Sequence, residues 1–230
     1  LNAEVDILGL TELNYNWLKL DSDQQLYRQM RGWWKNMSIQ RSWLKTQSQH
    51  VHQYGGTSTI ITNDTTSYQH QKGEDDKNLG RWSWITLADP TASIKTTIIT
   101  IYQPCYSKGV TTTHSQQLHK IRTNQPNSSE DVFYHYQKDL KRLIQNKQKE
   151  QHQIIVMGDF NKDTSKRQKL TDLLHKLNLY NAIEDKHGPC PSTHQNGSTP
   201  IDAIFISKTM QITRGGHHLG DTAISDHKMA

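Results

Sequence analysis

The 230-residue chain is poor in cysteine, phenylalanine and proline, and only 33% of its residues are hydrophobic. Each scarcity excludes something. Cys105 and Cys190 stand too far apart for a paired metal motif, and two cysteines make no disulfide framework, so a reducing, intracellular setting (nuclear or cytoplasmic) is expected. No apolar run reaches the ~18 residues of a membrane-spanning helix, so no membrane partner is expected. The first ten residues hold Glu4 and Asp6 and no basic residue, which argues against a secretory leader. No internal repeat and no low-complexity linker interrupts the chain. The chain starts without Met and almost immediately enters a strand, so a piece of a longer protein is expected, as one domain over residues 1–230.

What is present is polar and mildly basic. Lys and Arg number 27 against 22 acidic residues, a net charge of +5, which favours a polyanionic partner such as DNA. Strand-like segments recur at Val5–Leu10, Thr57–Thr62, Trp82–Leu87, Lys95–Tyr102, Ile154–Met157, Ile201–Ile206 and His218–Ile224. Asp89-Pro90-Thr91-Ala92 reads as a hairpin loop. Ser22–Met30 reads as a short helix, and Ser107–Asn127 as polar and irregular. A longer helix is expected over Ser128–Lys149. Its Val132, Phe133, Tyr136, Leu140, Leu143 and Ile144 form one stripe, Ser128 with Asp131 resembles a capping box, and Lys147 and Lys149 suit the helix dipole. Another helix is expected from near Ser165, with Gln168 at the capping-box position and Leu170, Leu173, Leu174 and Leu177 buried. Paired strands with inserted helices predict an α/β (α+β) fold, a two-sheet β-sandwich flanked by helices rather than a repeating βαβ array.

The most informative segment is Val156-Met157-Gly158-Asp159-Phe160-Asn161, an apolar strand that ends in a carboxylate and a carboxamide. Extended alternation would put Asp159 and Asn161 on one face, at the strand end where α/β proteins place their chemistry. Four comparable places recur. Glu12 follows the first strand and offers a hard oxygen ligand suited to Mg²⁺. Tyr102 ends a strand with a hydroxyl able to donate to a phosphate oxygen. Asp202 opens a strand, and an inward carboxylate there needs a partner, for which His227 of Ser225-Asp226-His227 is the candidate. Trp33-Trp34 and Trp82-x-Trp84 could stack bases, although the alternation of Trp82 and Trp84 favours one face of a core strand. Lys162, Lys166, Arg167 and Lys169 could meet a nucleic-acid backbone or equally form a solvated helix face, and His217-His218 reads as loop or strand start.

The ordered set Glu12, Tyr102, Asp159-x-Asn161, Asp202 and Asp226-His227 resembles the endonuclease/exonuclease/phosphatase (DNase I-like) superfamily. The chain is most like the apurinic/apyrimidinic-type endonuclease domain of LINE-type retrotransposons. Matching segments run from Asp6-Ile7-Leu8-Gly9-Leu10-Thr11-Glu12 through Ile101-Tyr102-Gln103-Pro104, Gly158-Asp159-Phe160-Asn161 and Ile201-Asp202-Ala203-Ile204 to Ser225-Asp226-His227. The resemblance implies a Mg²⁺-dependent (or Mn²⁺-dependent) phosphodiester hydrolase that nicks DNA. Glu12 would be its principal metal ligand and Asp226 the assisting one. Asp159 would deprotonate or orient the attacking water, and Asn161 would hold that water or a phosphate oxygen. His227, held by Asp202, would contact the scissile phosphate, and Tyr102 would donate to the phosphate or the leaving group. Having Tyr rather than His at 102 points to the apurinic/apyrimidinic branch. The resemblance further implies a sandwich lacking edge strands at both chain ends. Two other readings are open: a phosphoinositide or sphingolipid phosphoesterase of the same fold, and a catalytically degenerate copy that binds nucleic acid.

Overall fold

Thr57–Thr62, a β-branched run after Gly55-Gly56, forms the central strand of one sheet (β3). It pairs antiparallel on one side with β1 (Ile7–Thr11) and on the other with β2 (Met37–Ser42), giving the order β1-β3-β2. A short 3-10 turn at Ser22–Gln24 and helix α1 (Leu26–Met30) lie between β1 and β2, where a single short helix was expected. The computed structural model describes residues 5–45, 51–91, 93–126, 129, 131–216 and 226–228. The expected strand His218–Ile224, the pair His217-His218, Ser225 and the Ser128 cap lie outside them.

The second sheet is built from β4 (Gln69–Glu74), β5 (Trp82–Ala88), β6 (Lys95–Tyr102), β7 (His152–Asp159), β8 (Leu179–Asn181) and β9 (Asp202–Ser207). Its order is β4-β5-β6-β7-β9-β8. The β5–β6 hairpin turns at Asp89-Pro90, as expected. Among the described residues only β6 and β7 pair parallel, and α2 (Thr113–Asn124) and α3 (Val132–Lys149) lie in the crossover between them. Helices α4 (Lys169–Lys176) and α5 (Ala182–His187) follow β7 and β8. The two-sheet sandwich with flanking helices is therefore the observed architecture.

Three readings of local structure need correction. Ser107–Asn127 is not irregular throughout: Thr112 accepts from the Ser115 amide and caps α2. The helical stripe was hidden because its inward positions, His114, Gln117, Leu118 and Ile121, are half polar. The helix near Ser165 starts at Lys169, with Gln168 as its N-cap, because Ser165 donates instead to the Asp163 carboxylate in a turn. Helix α3 is capped by Asp131, which accepts from the Tyr134 amide.

Period-2 alternation divides the larger sheet into two faces. Trp82, Ile99, Ile101, Ile154, Val156, Ala203 and Phe205 face helices α3 and α4, whose Tyr136, Leu140, Ile144, Leu170 and Leu174 complete that core. Trp82 and Trp84 both pack there, so they are core residues; Trp33 is exposed. The opposite face meets the smaller sheet through small and hydroxylated side chains. Thr59 Oγ1 donates to Thr100 Oγ1 at 2.9 Å and also contacts Ser83 Oγ at 2.9 Å. Gly9 lets the sheets approach closely, since a Cβ there would lie 2.9 Å from both Met157 Cε and Thr100 Oγ1 and those side chains would have to shift.

A buried ion network ties the β4–β5 connection to α3. Arg81 donates through Nε and Nη2 to Asp75 at 2.7 Å each, and through Nη2 to Asp139 at 2.9 Å, with its guanidinium over the Trp82 ring at 4.2 Å. Both Arg81 and Asp75 are fully buried.

Candidate active site

The three central strands of the larger sheet deliver polar side chains to one row. Tyr102 ends β6, Asp159 ends β7 and Asp202 begins β9, and the ladder places Tyr102 beside Asp159 and Asp159 beside Asp202. Their neighbours Ile101 and Ala203 face the helices. Alternation therefore turns all three polar residues toward the smaller sheet. Glu12 reaches them from that sheet, as the residue after β1. It holds a left-handed backbone (φ 52°), which ends the strand and redirects the chain. Asn14 secures this bend by accepting from the Gly55 amide at 2.8 Å.

The Tyr102 hydroxyl donates to Glu12 Oε1 at 2.5 Å. Burial, then that bond, raises the Tyr102 pKa well above the ordinary tyrosine range, so the phenol keeps its proton. Its hydroxyl hydrogen bond is directed to Glu12 here, and Tyr102 thereby orients that carboxylate.

Asp159 is 1% exposed. Its Oδ1 accepts from the Asn161 amide at 2.7 Å and its Oδ2 from Asn161 Nδ2 at 3.0 Å. The strand ends at Asp159 and Asn161 is left-handed (φ 49°), so a turn, not extended alternation, brings the two together. Asn161 Nδ2 also donates to the Gln103 carbonyl at 2.7 Å, and its Oδ1 accepts from Cys105 Sγ at 2.9 Å. The carboxamide is thus engaged within the protein and holds Asp159. Desolvation, then the nearby Asp202 carboxylate, pushes the Asp159 pKa up to about 7, with Glu12 adding in the same direction; the Asn161 bond and His227 oppose.

His227 Nδ1 lies 2.8 Å from Asp202 Oδ2. That bond is the largest cause raising the His227 pKa to about 9, so the ring is an imidazolium at neutral pH and donates to Asp202. Ligating atoms of Asp159, Asp202 and His227 lie within 4.8 Å of one another. Asp226 is exposed, and its Oδ2 sits 3.2 Å from His194 Nε2. Thus Glu12, Tyr102, Asp159, Asn161, Asp202 and His227 gather at one end of the sandwich, with Asp226 adjoining through His227.

Sequence reasoning missed three supporting residues. Thr193 is fully buried, and its Oγ1 accepts from the Ile201 and Asp202 amides at 2.9 and 3.0 Å, fixing the start of β9. Gln103 donates from Nε2 to the Phe160 carbonyl at 2.9 Å and binds Asp159 and Asn161 through its backbone. His194 pairs with His227 across an isolated antiparallel bridge. Thirteen histidines in the chain hid it, and only proximity distinguishes it.

The model of the Endonuclease/Exonuclease/phosphatase family matches residues 1–227. The chain belongs to this family. Its members are hydrolytic nucleases and phosphatases of phosphate esters, and they generally use divalent metal ions. Solved structures share the fold at low identity. The 3′ phosphatase NExo from Neisseria, bound to a product DNA hairpin, is similar with a TM-score of 0.61 at 15% identity, over 97% of this chain and 86% of that one. A family protein from Leptotrichia buccalis gives 0.58 at 15%, over 98% and 85%. The catalytic domain of APE2 from Xenopus laevis gives 0.54 at 15%, over 90% and 75%. No curated protein sequence matches the chain.

The residues present fit the family's divalent cation. Glu12 is an exposed carboxylate held in place through one oxygen, and hard oxygens of this kind suit Mg²⁺. The raised pKa of Asp159 registers carboxylates crowded together in a desolvated corner, a charge density that a divalent cation relieves. Among the described residues, no helix is long and apolar enough to cross a membrane.

Proposed function

We propose that this chain is a Mg²⁺-dependent phosphodiester hydrolase that nicks DNA, most like the endonuclease part of a LINE-type retroelement polyprotein. The observation that carries the reading is the row Tyr102–Asp159–Asp202 on three adjacent strands, with Glu12 and His227 at its two sides. Tyr rather than His at 102 supports the apurinic/apyrimidinic branch. The net charge of +5 and the DNA hairpin in the Neisseria relative support a nucleic-acid substrate.

Each side chain has a role in this chemistry. Glu12, positioned by Tyr102, and Asp226 would hold the ion, which when bound neutralises charge on the phosphate and the departing oxygen. Asp159 takes the proton of the attacking water, a contribution of roughly 10²- to 10⁴-fold for a well-placed base. Asn161 keeps the Asp159 carboxylate aimed. The protonated His227, braced by Asp202, donates to a phosphate oxygen as negative charge accumulates there.

Supercoiled plasmid incubated with the purified protein and Mg²⁺, with and without chelator, tests the reading. Conversion to the nicked circle that disappears with chelator is expected. Hydrolysis of a phosphoinositide with no nicking would replace the DNA reading by a lipid one, and intact DNA binding with neither activity would mark a degenerate copy.

A further inference from the structure

The loop before β9 and the segment 226–228 run side by side. The Gln195 amide donates to the Asp226 carbonyl at 2.8 Å and the Lys228 amide to the Thr193 carbonyl at 2.7 Å. His194 and His227 face each other across this bridge, their rings edge to face with centroids 5.0 Å apart. Asp226 Oδ2 lies 3.2 Å from His194 Nε2, and donor atoms of all three residues fall within 4.8 Å of one another.

We propose that His194, Asp226 and His227 bind a transition-metal ion of the zinc class. Two imidazoles and a carboxylate are the nitrogen and oxygen donors that zinc takes at about 2.0–2.2 Å, so two ligands on a tetrahedral ion stand about 3.4 Å apart. The His194–Asp226 separation already meets that spacing, and a ring nitrogen of His227 lies within 4.8 Å of both partners. A second feature points the same way. Asp202 holds His227 through Nδ1 at 2.8 Å, the carboxylate–histidine arrangement that orients metal-ligating imidazoles, and the ion displaces the proton from the opposite ring nitrogen on binding. The set is reachable from solvent, since Asp226 is exposed and both histidines are only half-buried. It shares Asp226 with the proposed Mg²⁺ position at Glu12 but adds two imidazoles, and it takes up His227. Occupancy therefore withdraws His227 from the phosphate, a consequence that rests on the hydrolase reading, whereas the site itself does not.

Cobalt(II) is the probe, titrated into the whole protein in the presence of millimolar Mg²⁺ so that oxygen-only positions are filled. Saturable binding of one ion, with the visible absorption of four- or five-coordinate nitrogen and oxygen ligation and displacement by zinc, is expected. His194→Ala and Asp226→Asn should each weaken it at least about tenfold, while His119→Ala, at an exposed position of α2, should leave it unchanged. Side-chain ¹⁵N spectra of the unmodified protein give a readout that needs no variant: the ring nitrogens of His194 and His227 should shift on zinc addition. Absence of saturable binding below millimolar cobalt, binding indifferent to His194→Ala, or unmoved ring signals would each overturn the site. Plasmid nicking in Mg²⁺ alone is scored separately. Binding without nicking leaves the metal site standing, and nicking without binding removes only the metal site.

Discussion

Gly158→Ala tests whether the close approach of β6 and β7 sets the geometry of the row. Gly158 has φ +134°, and a Cβ there would lie 2.1 Å from the Ile101 carbonyl oxygen and 3.0 Å from the Ile101 nitrogen. Close carbon–oxygen contacts settle near 3.3 Å, so the strands must part by roughly 1.2 Å. The displaced atoms are backbone, so no side chain can swing away. Holding an L-residue at this φ costs about 1–3 kcal/mol. Weakening one or two ladder hydrogen bonds adds about 1 kcal/mol each. Destabilisation of about 2–5 kcal/mol follows. The next rung is Tyr102 beside Asp159. A displacement of this size beside the reacting groups should lower kcat/KM about 10²-fold.

Urea unfolding followed by the fluorescence of the chain's six tryptophans measures the first effect. The midpoint should fall by roughly 1–2 M. Gly32→Ala is the control, because nothing lies within 4 Å of a Cβ there. It should change stability by no more than about 0.5 kcal/mol. If Gly158→Ala unfolds and hydrolyses like the parent protein, the rung geometry does not depend on that contact.

Four further outcomes are expected. Asp75→Ala leaves the buried Arg81 with Asp139 alone and should cost about 3–5 kcal/mol in urea unfolding; a loss below about 1 kcal/mol would contradict the network. Tyr102→Phe removes the donor to Glu12 and should weaken productive Mg²⁺ binding about 10- to 100-fold, read as a raised half-saturating Mg²⁺ concentration with kcat largely kept. The rate at limiting cation should rise as pH passes about 7, where Asp159 loses its proton, and fall above about 9, where His227 loses its own; saturating cation should move the lower limb to more acidic pH. Because the folded His227 pKa lies above its ordinary 6.5, the Asp202–His227 pair contributes stability fully below 6.5 and loses it as pH rises through about 9. The deficit of Asp202→Asn should therefore shrink across that window, and a deficit that grew with pH would refute the pairing.

How much of this was legible beforehand follows from which interactions are local. The strands β3, β5, β6 and β9 were readable because β-branched and aromatic residues recur between turn residues, and α3 because Val132, Tyr136, Leu140 and Ile144 keep one face. β2 and β4 were not, since Met37–Ser42 and Gln69–Glu74 carry almost no apolar signal and are strands only because partners supply their hydrogen bonds. Glu12, Tyr102, Asp159 and Asp202 were readable as candidates because each follows, ends or begins an apolar strand. Their contacts were not. That Tyr102 donates to Glu12, 90 positions away, and that Asn161 turns back on Asp159, depend on sheet packing and on a left-handed residue that no periodicity announces.

The low hydrophobic content and the site have one structural origin. The face of the larger sheet that meets β1–β3 runs through Ile98 and Thr100 on β6 and ends at Tyr102, while its β7 neighbours run through Met157 to Asp159. Hydroxyls fill much of this inter-sheet layer and satisfy one another, as Thr59, Ser83 and Thr100 do, so the layer needs few large apolar side chains. A strand face that is already tolerant of polar atoms can close with carboxylates at its mouth without an abrupt change of environment. The same alternation makes register decisive. A one-residue slip of β7 would turn Asp159 into the apolar layer under α3 and α4 and bring Gly158 out to the mouth. Gly158 opposes that slip, because at its own rung it alone tolerates Ile101 so near, and any other residue of β7 moved into that place would carry a Cβ into the carbonyl. The glycine beside Asp159 is therefore a register device, and it fixes which face of the sheet presents that carboxylate.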